Sequence, residues 1–341
     1  MGKYVFLFGF WLPAGIYLLD SPGRVKGMMV VMIAAAMVPL IPAICDYYFQ
    51  TTITVTIDRL LSMNLAFPEP HGGRFGSVMG HPNNFGFMLV VVFPIFLWSI
   101  FFAKVWFTRI QGLLLLCLLV AGSLVTASRS MALAMTIQFI CFMSLMPQRR
   151  LKEKVLYFLV VLLLTAGTLV LSIKERPVIL VDRFVEMSSH EIGEYEPDSG
   201  RIDQMIDAWR AISHHPIIGI GVESTSADLE RLPVHNTILR LWAGIGICGL
   251  VFICWVYAIA FIEALTNFRK ASRLKTYQPA PLAFVVLVAL IGWFFVDMVQ
   301  PQFYDRFKFV ILILLFSLSR AIEAAGAASP SRRSLFPVYA E

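Results

Sequence analysis

The 341-residue chain is 58% hydrophobic and only 15% charged, with a mean hydropathy of +0.75. A soluble domain carries about 25% charged residues to cover its surface, so this composition excludes a water-soluble globular protein, a disordered chain, a collagen-like repeat and a disulfide scaffold. The 28 Lys and Arg against 22 Asp and Glu leave +6, a balance that would suit nucleic acid only if it were gathered on one surface.

A membrane-spanning helix needs roughly 20 mainly apolar residues. Runs near that length lie at 4–19, 28–48, 85–103, 112–126, 130–146, 155–173, 237–265, 280–299 and 308–322. They predict an all-α polytopic transmembrane bundle of about nine helices, a single integral membrane domain over 1–341. The first run follows Lys3 and has no small-residue cleavage site, so it reads as a membrane helix rather than a signal peptide. The runs at 112–126 and 130–146 are so close that they predict a tight helical hairpin. Cys45, Cys117, Cys141, Cys248 and Cys254 fall in or at the end of apolar runs and read as small hydrophobes.

Lys and Arg in short loops set orientation. The segments 20–27 (Arg24, Lys26), 104–111 (Lys104, Arg109), 147–154 (Arg149, Arg150, Lys152, Lys154) and 266–278 (Arg269, Lys270, Arg273, Lys275) are basic, as is the tail with Arg332 and Arg333. Every second loop is therefore predicted to be cytoplasmic. Much of the positive charge is a topology marker, which excludes the nucleic-acid reading. Two long segments, 49–84 and 174–236, are predicted outside, and the second holds more than half of the acidic residues. All six histidines, His71, His81, His190, His214, His215 and His235, fall in these external segments.

The external segments carry the unusual residues. Arg74-Phe75-Gly76 and Gly80-His81-Pro82-Asn83-Asn84 precede an inward-running helix that Asn83 or Asn84 can cap. In Thr126-Ala127-Ser128-Arg129-Ser130, Arg129 lies between two apolar runs, where an arginine costs at least a few kcal/mol unless it snorkels or meets an anion. Ser128 is a natural N-cap, and the N–H groups and dipole of that helix start favour anions. Two readings of Arg129 stay open, an interfacial anchor and an anion ligand.

Asp198-Ser199-Gly200-Arg201 is expected to start a helix capped by Asp198 or Ser199, with Arg201 in its first turn. Ile202, Met205, Ile206, Trp209 and Ile212 give that helix an apolar stripe suited to the membrane interface. His215-Pro216-Ile217-Ile218-Gly219-Ile220-Gly221 ends it in a loop that the proline and the two glycines permit. His235-Asn236 opens the next inward helix, Asn236 as a cap. There the positive end of the dipole favours the neutral imidazole that a general base needs, although a capping or interfacial histidine explains the same position. Asp297, near the outer end of a later run, is ionisable and its partner cannot be named from sequence.

Arg74, Arg129, Arg201 and His235 thus share one predicted face. Three guanidinium forks and one imidazole suit a reaction on a lipid-linked diphosphate: the arginines neutralise the leaving group and the imidazole accepts a proton from an attacking hydroxyl. No acidic pair or ligand cluster is placed for a metal, so the expectation is chemistry with neither metal nor cofactor. A transporter or flippase of lipid-linked substrates is the rival class, but its ionisable residues belong at midplane on broken helices, often in inverted repeats.

Taken in order, these motifs resemble the O-antigen ligase and O-antigen polymerase family of bacterial membrane glycosyltransferases over about residues 70–260. The resemblance implies transfer of a glycan from undecaprenyl diphosphate to an acceptor hydroxyl on the periplasmic face of the inner membrane, by inversion and without a metal. The acceptor would be lipid A-core, a glycan or a protein. It implies Arg129 and Arg201 on the diphosphate, Arg74 as a weaker third ligand, and His235 activating the acceptor. Ser128, His215, Asn236 and His81 are supporting candidates, and 174–236 is a large periplasmic loop within the membrane domain. Family members usually have ten to twelve or more helices, so this chain is expected to lack several at its N-terminal end.

Overall fold

The computed structural model describes residues 10–61, 75–79, 81–102, 105–126, 128–146, 155, 159, 196–221, 234–273, 279–300 and 307–327, side chains of 196–203, 279, 307 and 327 excepted. Among the described residues there are eleven α-helices, one 3-10 turn and no strand. They are α1 (Leu12–Leu18), α2 (Pro22–Tyr48), α3 (Ile53–Leu61), α4 (Pro82–Phe101), α5 (Trp106–Thr126), α6 (Arg129–Leu145), α7 (Glu196–His214), α8 (Thr237–Ile245), α9 (Ile247–Arg273), α10 (Pro279–Val299) and α11 (Phe307–Ala327), with the 3-10 turn at Ser77–Met79. Six of these, α2, α4, α5, α9, α10 and α11, are long and apolar enough to cross a membrane, and α6 is a shorter apolar helix. The chain is an all-α, multi-pass membrane protein.

Two sequence expectations change. The apolar run at 237–265 is two helices, because the chain breaks at Gly246, whose φ is +73°. Of the first run, only α1 with its seven residues is a described α-helix. The run at 155–173 lies outside the described residues apart from 155 and 159, as do all of 174–195 and the segment 222–233.

Packing follows from which helices are apolar on every side. α4 and α10 are, and they occupy the centre, buried over most of their length. α4 contacts α2, α5, α6 and α10; α10 contacts α4, α6, α9 and α11. The surrounding helices keep one apolar face exposed, with Val30, Val31, Val38 and Ile41 on α2 and Val251, Trp255 and Ile262 on α9. Such a face is stable against lipid tails. Between helices, lipid supplies no hydrophobic drive, so close contact and interhelical hydrogen bonds must hold the bundle. The Cα of Gly86 lies so near Met131, and that of Gly122 so near Leu40, that an added methyl would overlap them. Gln138 of α6, fully buried, donates from Nε2 to the Val288 carbonyl of α10 at 3.2 Å, in space left by Gly292. Asn267 of α9 donates to the Leu315 carbonyl of α11 at 3.1 Å.

The deepest polar feature joins four helices. Asp297 on α10 is completely buried. Its Oδ1 meets Lys308 Nζ of α11 at 2.6 Å and faces Thr237 Oγ1 of α8 at 3.3 Å. Its Oδ2 accepts from Trp293 Nε1 at 2.9 Å and from the Tyr257 hydroxyl of α9. A carboxylate has about four acceptor sites, and four polar side chains stand around this one. The opposite end of the bundle carries the basic residues that flank the helices, Arg24, Lys26, Arg109, Arg269, Lys270, Arg273 and Arg320. Lys26 lies 5.8 Å above the Trp98 ring and Lys270 pairs with Glu323 at 3.2 Å.

Removing one member of a buried ion pair strands the other, at a cost of about 3–5 kcal/mol, whereas replacing both by apolar residues is often neutral. Lys308→Met should therefore lower the thermal unfolding midpoint in detergent, and Asp297→Leu combined with Lys308→Met should recover much of the loss. Equal or additive destabilisation in the double variant would refute this account of the pair.

Candidate functional site

At the Asp297 end, the N-termini of three helices meet. α4 starts at His81, which holds the N-cap position in extended geometry and accepts the Asn83 N–H at Nδ1, 3.1 Å away. The histidine, not Asn83 or Asn84, is therefore the cap, and the Asn83 side chain is released for another bond. α6 starts at Arg129, with Ser128 at the N-cap position. Ser128 is buried and makes no side-chain capping bond; its Oγ lies 3.4 Å from Ser130 Oγ, and its N–H donates to Thr126 Oγ1 at 3.3 Å. α8 is capped by Asn236, whose Oδ1 accepts the Leu239 N–H at 3.0 Å while Nδ2 donates to the Met298 carbonyl at 3.0 Å.

One residue touches all three starts. Gln300, just past the C-terminus of α10 and 2% exposed, accepts from Asn83 Nδ2 at Oε1 (3.1 Å) and donates from Nε2 to Ser130 Oγ (3.1 Å). Its carbonyl accepts from Thr237 Oγ1 at 2.9 Å. The Thr237 hydroxyl has one proton and two acceptors in reach, this carbonyl and Asp297 Oδ1, so the triple junction and the buried ion pair share a residue.

Arg129 and His235 are brought to this same end, Arg129 as the first residue of α6 and His235 immediately before the cap of α8, both half-buried. The first-turn N–H groups of three helices aim there, and each helix contributes the positive end of its dipole. The setting has positive potential, a guanidinium fork and an imidazole, and it suits an anion beside a group that exchanges a proton. Among the described residues, no group of three His, Cys, Asp or Glu side chains is positioned to hold a metal ion.

α7 packs onto α8. Ala208 and Ile212 bury against Val234 and Ala243, and Trp209 meets Trp242 edge-on with ring centroids 5.6 Å apart. Asp198 and Ser199 already lie inside this helix, which runs from Glu196, so neither is its cap and Arg201 falls beyond the first turn. The backbone of Arg201 is thus helical, and its side chain lies outside the described residues. The apolar stripe divides: Ile212 is buried, while Met205, Ile206 and Trp209 are exposed.

The loop after α7 is held to the α8–α9 junction by backbone hydrogen bonds. Ile220 and Gly221 N–H groups donate to the Ala243 and Gly244 carbonyls, and Ile247 N–H donates to the Pro216 carbonyl, each at 2.9 Å. Contact this close requires Gly246, where an added methyl would come 2.0 Å from the Ile217 oxygen, and Gly219, where it would come 2.6 Å from the Gly244 backbone. His215 closes α7 through its backbone, and its side chain is exposed.

Arg74 lies outside the described residues, although its neighbour Phe75 is fully buried and donates its N–H to the Val125 carbonyl at 3.2 Å, next to the start of α6. Gln300, Thr237, Tyr257 and Lys308 were not anticipated. Lys308 had a readable signal, a lysine at the head of an apolar run; Gln300 and Thr237 had none.

The backbone zipper gives a direct test. Gly246→Val should break the contact between the 215–221 loop and the α8–α9 junction, costing about 1–3 kcal/mol from the left-handed φ alone before any overlap. Faster limited proteolysis after α7 is expected; an unchanged cleavage pattern would refute the zipper.

Residues 113–254, which run from α5 to the first turns of α9, match the family model described as O-Antigen ligase. No curated protein matches the chain significantly. Over residues 113–254 this multi-pass membrane chain is therefore similar to the O-antigen ligase family, and the match together with the membrane-spanning helices supports a membrane glycan-processing enzyme.

Proposed function

We propose that the protein is a glycosyltransferase that moves a glycan from undecaprenyl diphosphate to an acceptor hydroxyl on the periplasmic face of the bacterial inner membrane, as an O-antigen ligase does. The observation that carries this reading is the meeting of three helix N-termini with Arg129 and His235 at the end opposite the basic flanks. By the orientation rule for Lys and Arg, that end is periplasmic.

In the reaction, the acceptor oxygen attacks the anomeric carbon from the side opposite the diphosphate. A carbon–oxygen bond to the acceptor forms, the bond from the anomeric carbon to the diphosphate oxygen breaks, and configuration inverts. His235 takes the hydroxyl proton. The lipid diphosphate leaves with the electron pair, and its growing charge is met by Arg129, Arg201 and Arg74 and by the α6 N-terminus. This scheme assigns no step to a metal. His81 and Asn236 hold two of the helix starts in place as caps, Ser128 stands at the start of α6 beside Arg129, and His215 closes α7 through its backbone. A polymerase would use the same chemistry with a second lipid-linked glycan as acceptor.

The test is transfer by purified protein in lipid, with lipid-linked donor and acceptor supplied. Arg129→Ala and Arg201→Ala should each lower kcat/KM at least about 100-fold, with the protein still inserted and monodisperse. His235→Ala should cost about 10²–10⁴-fold, the range of a lost general base. Normal product from the arginine variants would overturn the assignment. In cells, loss of a ligase leaves polymer on the carrier lipid, whereas loss of a polymerase leaves single repeats on the acceptor.

A further inference from the structure

Resting on the proposed function, we propose that Gln300 is a positioning residue that fixes the register of α4 and α6 against α8, and so the separation between Arg129 and His235. Its side-chain amide spends one bond on each of α4 and α6, on Asn83 at 3.1 Å and on Ser130 at 3.1 Å. Ser130 directly follows Arg129, and Asn83 lies in the first turn of α4, its N–H on the His81 cap. The tie to α8 is made by the Gln300 backbone carbonyl instead, through Thr237, two residues after His235.

This division of labour has a consequence for substitution. A side-chain change at 300 unties the starts of α4 and α6 from the end of α10, while α8 keeps its backbone bond there. The histidine side of the site stays fixed, and the guanidinium side loses its tether. At 2% exposure, water cannot replace the missing partner for Asn83 or Ser130. Donor binding needs the arginines alone, whereas the transfer step needs them at a set distance from the proton acceptor. The loss therefore belongs in kcat and not in donor KM.

The decisive variant is Gln300→Met, similar in shape but without the amide, in the full-length protein in lipid. Its kcat is expected to fall about 10–100-fold, the cost of a misplacement near 1 Å, with donor KM within about twofold of wild type. Ser130→Ala, which removes the α6 bond alone, should shift kcat in the same direction, and the double variant should be no worse than Gln300→Met, because that variant has already lost the bond to Ser130. Unchanged kcat, a rise in KM alone, or additive losses in the pair would overturn the proposal. A distance measurement free of activity runs in parallel, with spin labels at Leu133→Cys on α6 and Ile245→Cys on α8 in a cysteine-replaced background. Gln300→Met should broaden or shift that distance, and an unaltered distribution would overturn the register. Should Gln300→Met fail to insert, Ser130→Ala and Asn83→Leu, each removing one bond, carry both readouts. Absence of transfer by the wild type, or full activity of Arg129→Ala, would refute the functional reading and leave the distance result to judge the register.

Discussion

A carboxylate buried among apolar helices needs polar partners around it and its charge matched, and Asp297 meets both demands where α8, α9, α10 and α11 lie together. Lys308 supplies the charge, Tyr257 and Trp293 supply donors from two directions, and Thr237 brings the start of α8 within reach. A pair of this kind is weak evidence for net stability, since its desolvation offsets most of its attraction. Its value lies in exclusion: a bundle slid by one turn at any of these helices would strand a charge or a donor in a medium without water. The end of the bundle that holds the candidate site is thereby specified more sharply than apolar packing could achieve.

From that fixed point the order of the site follows outward. Thr237 passes from Asp297 to the Gln300 carbonyl, and Gln300 reaches Asn83 and Ser130. Each link is a short polar contact between helices whose remaining surfaces are interchangeable apolar side chains. Lipid-facing residues such as Val38 and Trp255 tolerate exchange, while the polar links carry the alignment. The O-antigen ligase match, which ends at residue 254, covers the starts of α6 and α8 but not Asp297, Gln300 or Lys308. The matched domain is thus aligned by residues that lie beyond it in sequence.

How much of this was legible beforehand depended on whether a signal was local. Apolar run length located α2, α4, α5, α6, α10 and α11 closely, since spanning a bilayer is a one-dimensional requirement. Arg129 and His235 stood out because each interrupts or opens an apolar run, and the helix starts they flank lie at one end of the described bundle. The break at Gly246 was not legible, because Gly244-Ile245-Gly246 is tolerable inside a membrane helix and the contact that requires it comes from Pro216–Gly221, some thirty residues earlier in the chain. The caps were half legible. Asn236 caps as its residue type suggests, whereas His81 displaces the two asparagines after it. Gln300 could not be found at all, since its meaning lies in partners 170 and 217 residues away in sequence.

The exposed side of α7 gives the bilayer itself a place in this arrangement. Met205, Ile206 and Trp209 project from α7, and Ile217 and Ile218 project from the loop after it, at 67% and 82% exposure. An apolar face of this kind settles at the depth of the lipid headgroups, while its other face is fastened to α8 and to the α8–α9 junction. Height above the membrane therefore becomes a mechanical variable. A change in bilayer thickness would pull on α7 at one face and be resisted at the other, straining the elbow at Gly246. Lipid composition would then bear on the seating of α7 against α8 without any ligand, much as string tension sets pitch without altering the instrument.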